Sequence, residues 1–117
     1  MLHTNLKLLR QHGACTAGYR KLVEHLGGTA RARACGPIPL TAVLDSNGLE
    51  DTLWCLRAVL PEEKLDRDVI ARLFACDCAE AVQHLYQPPP NTSWRPEHTI
   101  PVARRYALGL ATQEELA

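Results

Sequence analysis

Aromatic side chains are scarce in this chain. One Phe, two Trp and three Tyr make up 5% of its 117 residues. So few rings make a poor stacking platform for single-stranded nucleic acid. They also leave Leu, Val and Ala to fill the core, and Leu and Ala favour helices packed on helices over a sheet sandwich. Net charge is missing as well, because 13 basic side chains balance 13 acidic ones. That balance argues against a general polyanion binder. No apolar run approaches the ~18 residues that span a membrane. The start, MLHTNLKLLRQHG, has no apolar stretch of signal-peptide length. The five cysteines, at 15, 35, 55, 76 and 78, are odd in number and not spaced like a secreted disulfide framework. A reducing bacterial cytoplasm is the expected compartment.

Several motifs are absent. LGGTARA and GLATQEE match neither the P-loop nor the dinucleotide glycine spacing. His12 and Cys15 stand at a ligand-like interval, but Cys35 and Cys55 complete no CxxC or HxxxH set around them. No metal and no cofactor is expected, and no enzyme.

What is present reads as a folded helical protein, with 46% hydrophobic and 22% charged residues. The expected fold is all-α, a compact bundle of five to six short helices with one longer helix near 67–86. A single helical domain over 1–117 is expected. Its best candidate for an internal boundary is GGTARARACGPIP, residues 27–39, which reads as a loop open to some extended pairing. Leu2, Leu6 and Leu9 predict a first helix ending at Gly13. Thr16 is expected to cap a second, stopped by Gly27 and Gly28. Thr41 and Asn47 read as caps of two more, the latter with Glu50 three residues on. Leu49, Leu53, Leu56 and Leu60 then form the stripe expected in the core, with Trp54 about 100° off it. Asp66 is expected to cap the long helix, QPPPNTSWRP to be an extended linker, and Thr99 to cap a further helix with Pro101 in its first turn.

LFACDCAEAVQHLY, residues 73–86, is the most chemical-looking stretch. On a helix, Cys76 and Cys78 point about 200° apart and cannot share one metal ion. Ile70, Phe74, Cys78, Ala81 and Leu85 share a face, on which Cys78 reads as a small buried hydrophobe. Asp77, Glu80 and His84 form a second stripe. Its leading reading is a structural salt bridge from Asp77 to Arg104 or Arg105, with Arg95 a further donor. A catalytic Asp–His pair lacks an accompanying nucleophile.

Charge is unevenly placed. Residues 1–44 carry six basic side chains against one acid, and residues 45–117 carry seven against twelve. The acids Glu50, Asp51, Glu62, Glu63, Asp66 and Asp68, with Trp54, are the candidate partner-binding set. Their alternative reading is ordinary solvated faces and helix-start charges. Arg31 and Arg33 are the candidate phosphate-contacting pair.

IPLTAVLDSNGLEDTLWCLRAV, residues 38–59, resembles a segment of small proteins of bacteriophages and their hosts. ARLFACDCAE with RPEHTIPVARRYALGLATQEELA resembles a helical module of the same proteins and of immunity-protein families. Together they cover about half of the chain. The resemblance implies that Asp77, Glu80, Arg95, Arg104 and Arg105 belong to a recurring element, and carries over no catalytic residue. Relatives usually have a plain helix former where Pro101 stands. The expectation is a non-enzymatic phage or mobile-element protein that blocks a host defence complex, such as a CRISPR–Cas complex, by surface occlusion. The alternatives are an immunity-like or regulatory protein-binding module, or a small nucleic-acid-binding protein using Arg31 and Arg33. Surplus Leu stripes with Trp54 and Trp94 make a homodimer a further expectation.

Overall fold

The computed structural model describes residues 1–117 and is mostly helical, with eight α-helices, three 3-10 turns and one two-stranded antiparallel ladder. The chain divides into two units, Met1–Arg67 and Asp68–Ala117. The division falls inside the longest helix, and residues 27–39 lie within the first unit.

In the first unit, β1 (His3–Thr4) pairs with β2 (Ile38–Pro39), Thr4 opposite Ile38. Leu2 was expected in the first helix. Instead the Leu8 N–H donates to Asn5 Oδ1 at 2.7 Å, which caps α1 (Leu6–Gln11) and leaves the residues before it extended. α2 (Thr16–His25) is capped not by Thr16 but by Cys15, whose Sγ accepts from the Gly18 N–H at 3.3 Å. It stops at Gly27, in the left-handed region at φ 98°. The loop expected at 27–39 contains α3 (Thr29–Ala34). Its Ala and Arg are strong helix formers, and the flanking glycines and prolines mark only its ends.

Pro39, not Thr41, precedes α4 (Leu40–Asn47), and Gly48 both ends α4 and starts α5 (Leu49–Cys55). Asn47 therefore does not cap. Its Nδ2 donates to Gly18 O at 2.9 Å and to Asp51 Oδ2 at 3.0 Å, tying α4 to α2 and α5. The expected Leu49 and Leu53 stripe is also corrected, since these residues are 56% and 40% exposed. Cys55, Ala58 and Val59 are buried instead. Residues 56–58 form a 3-10 turn, with about three residues per turn, so the 100° phase of α5 does not continue into it. Leu2, Leu9, Leu22, Ile38, Leu40 and Val43 complete this core. Thr4 is buried in it, its hydroxyl donating to Ala58 O at 2.6 Å.

α6 (Lys64–Val82) is the long helix, with 3-10 turns at Pro61–Glu63 and Gln83–Leu85 on either side. Asp66 sits in its first turn rather than capping it. In the second unit, Tyr86 and Trp94 meet edge to face at 5.0 Å across the proline-rich segment. α7 (Pro96–Ala107) begins earlier than expected, with Pro96 in its first turn. Thr99 is inside it, donating to Arg95 O at 3.2 Å, and Pro101 lies in the helix interior. Thr112 and Glu115 form a reciprocal capping box for α8 (Gln113–Leu116).

Candidate functional site

The six candidate acids do not act as one set. Asp51 turns inward to Asn47, and Glu63 clamps the chain start. Its two oxygens accept from the His3 backbone N–H at 2.7 Å and bond the His3 ring Nδ1 at 2.8 Å. Burial pushes the Glu63 carboxyl up, but the His3 bonds and the His3 and N-terminal charges outweigh this and hold it below its ordinary value. Glu50, Glu62 and Asp66 are exposed, while Asp68 is half-buried. Trp54 is half-buried under the Arg57 guanidinium, 4.8 Å from its ring. Arg31 and Arg33 are both exposed on α3. Two residues apart on a helix, they point about 200° away from each other and do not form one phosphate clamp.

Arg104 of α7 reaches Asp77 at 2.8 Å and also pairs with Glu80, so both α6 carboxylates converge on one guanidinium. These hydrogen bonds raise the Arg104 pKa above its ordinary value. Arg105 turns away, to Glu115 at 2.9 Å. Asp77 is exposed. Glu80 is turned to Arg104.

A second contact between α6 and α7 places Arg72 over the Tyr106 ring at 5.3 Å. Arg72, Asp77 and Glu80 bracket one side of α6, and Cys76 at its middle is buried. Cys78 points about 200° away and is exposed, so the expected assignment of the buried thiol is reversed. Ile70, Phe74 and Ala81 lie on that outer side with Cys78, and all are exposed. The face is real but it is not core. No three His, Cys, Asp or Glu side chains converge as metal ligands would. No helix is long and apolar enough to cross a membrane.

No family model, no curated protein and no solved structure matches this chain. The feature that sequence reasoning missed is the openness of the α6 face. Apolar residues on several sides of α6 (Val69, Leu73 and Cys76 as well as Ile70 and Phe74) were the available signal, since α7 can cover only one side.

Proposed function

We infer that this chain is a non-enzymatic binding protein whose second unit engages another protein through the open face of α6. One observation carries the reading. Ile70 and Phe74 are 45% and 43% exposed on that face, and Val82 at the end of α6 and Leu85 in the 3-10 turn beyond it are 54% and 68% exposed, while the buried residues of the unit are Cys76, Pro96, Ile100 and Ala107. That leaves on the order of 400 Å² of apolar surface open, the scale at which patches mark interaction sites. A partner that covered it would add roughly 25 cal/mol for each Å² removed from water, before the costs of association.

The concrete form we propose is occlusion of a host defence complex by a phage or mobile-element protein. The identity of the target rests on the resemblance of residues 38–59 and of the C-terminal module to small phage proteins. The exposed acids Glu50, Glu62 and Asp66 suit an arginine-rich channel on such a target. The test is affinity capture with the tagged chain from cells carrying CRISPR–Cas or toxin systems, run beside Phe74→Asp. Recovery of a stoichiometric protein complex by the wild type, lost with Phe74→Asp at unchanged helicity, is the expected result. Recovery of nucleic acid alone, released at high salt, would overturn it.

A further inference from the structure

The first unit holds a cavity of about 190 Å³ between α2, α4 and α5. Cavities of about 150 Å³ lined by aliphatic side chains hold benzene. This one has room for a ring with one or two further atoms, and it is not uniformly apolar. Leu9, Leu22 and Val43 form its apolar part, and the Tyr19 and Trp54 rings line it as well. Asn47 and Asp51 supply its polar end.

That polar end is rich in acceptors. Asn47 Nδ2 is committed to Gly18 O and Asp51 Oδ2. Its Oδ1 is buried without a hydrogen-bond partner and is sealed from the cavity as from solvent. The Asp51 carboxylate stands beside it and brings the one acidic group among the lining residues. Arg10 and Arg57 stack on Tyr19 and Trp54 at 5.1 and 4.8 Å, but neither lines the cavity. A lone carboxylate and two aromatic rings suit a hydrogen-bond-donating cation on a hydrophobic stem.

We propose that this cavity binds a primary ammonium carried on a short apolar stem, of about the size of benzylamine. The ammonium donates to the Asp51 carboxylate, and the stem lies between the rings and the leucines. Two sources present this chemistry, a free alkyl or arylalkyl amine and a lysine side chain of a partner protein. The site belongs to the first unit and does not depend on the α6 face.

The test is titration of the 15N-labelled protein with benzylamine, N-acetyl-lysine methylamide, benzyl alcohol and phenylacetate, followed through the amide signals of Gly18, Asn47 and Asp51. Saturable shifts with either amine, and binding at least about tenfold weaker for benzyl alcohol, are expected. Tighter binding of benzylamine identifies a free amine as the ligand; tighter binding of the lysine amide identifies a protein side chain. Asp51→Asn keeps size and can still accept from Asn47, and it should weaken amine binding by about tenfold. Gly18→Ala is an independent variant inside α2, whose added Cβ would stand 3.2 Å from Asp51 Oδ2 and crowd the polar end. It should weaken both amines while the circular dichroism of the fold is kept. No shift with either amine, equal or tighter binding of phenylacetate or benzyl alcohol, or a folded Asp51→Asn protein that binds amines as the wild type does would overturn the proposal.

Discussion

Replacing Thr4 by Val tests whether the short ladder at the chain start is held by its side chain. Thr4 has 0% exposure, and its hydroxyl donates to Ala58 O at 2.6 Å, across 54 residues of sequence. Valine matches threonine in shape, so no cavity opens. What changes is that Ala58, itself at 0% exposure, loses this donor where water cannot replace it. Stranding a buried acceptor costs about 1–3 kcal/mol. The new methyl returns roughly 0.8 kcal/mol of burial. The expected net loss is therefore about 0.2–2 kcal/mol. For a unit of this size that lowers the melting temperature by about 4–8 °C per kcal/mol. The assay is urea unfolding followed by Trp54 fluorescence in a Trp94→Phe background, which removes the signal of the second unit. The midpoint should fall at constant slope, since the surface exposed on unfolding is unchanged. A Thr4→Val midpoint equal to that of the wild type would refute the reasoning, and would mean that Ala58 O finds another donor.

Gly48 stands at φ 90° and ψ 179°, a conformation that only glycine adopts freely, so Gly48→Ala should cost about 1–3 kcal/mol in the same urea assay. Burial, reinforced by the Asp51 carboxylate and opposed by Arg57, pushes the Cys55 thiol up to about 11. Iodoacetamide at pH 8 should therefore label exposed Cys15, Cys35 and Cys78 in the native protein and spare Cys55 and Cys76 until denaturant is added, as read by mass spectrometry. Because the folded thiol binds its proton more tightly than the unfolded one at 9.0, stability should also fall as pH rises from 9 towards 11, and Cys55→Ala should remove that slope. Glu63 has the opposite sign, since its carboxyl is held below the unfolded value of 4.5. Its stabilisation is fully present above that value and is lost as pH falls through the folded-state value. The stability gap between wild type and Glu63→Gln should accordingly be open at pH 7 and narrow progressively as pH falls below 4.5, measured by urea midpoints along that series.

Local chemistry explains which helix ends were legible in the sequence. Gly13, Gly27 and Gly48 all take positive φ at or just past helix ends, and each can be read from its residue type alone. The Thr112 capping box is equally local. Asn47 was misread for a complementary reason. An Asn before a helix satisfies the capping rule, but an Asn whose amide reaches Gly18, 29 residues away, is worth more as a tie between helices. Nothing within four residues distinguishes the two uses. The error at Leu49 and Leu53 is of a similar kind. Both lie inside α5 on the side away from buried Cys55, so the wheel groups them correctly, but which side of the helix meets the core is decided by its distant neighbours.

The α6 face shows where pattern stops and packing begins. Periodicity places Ile70, Phe74, Cys78 and Ala81 on one side whether that side meets a core or water. Deciding between the two requires knowing what covers the helix. In the second unit α7 approaches α6 where Arg104 meets Asp77 and Glu80 and where Arg72 meets Tyr106. That contact is charged at its edges, with Cys76 buried between. A single twelve-residue helix can bury one side of its neighbour, and the buried side is the one that carries Cys76, with the Arg104 pairs at its exposed edge. Two thiols separated by a single residue thereby acquire opposite environments. Exposed ion pairs of this kind contribute little to stability, so it is burial of Cys76, with Ile100 and Ala107 of α7, that favours this side over the one carrying Ile70 and Phe74.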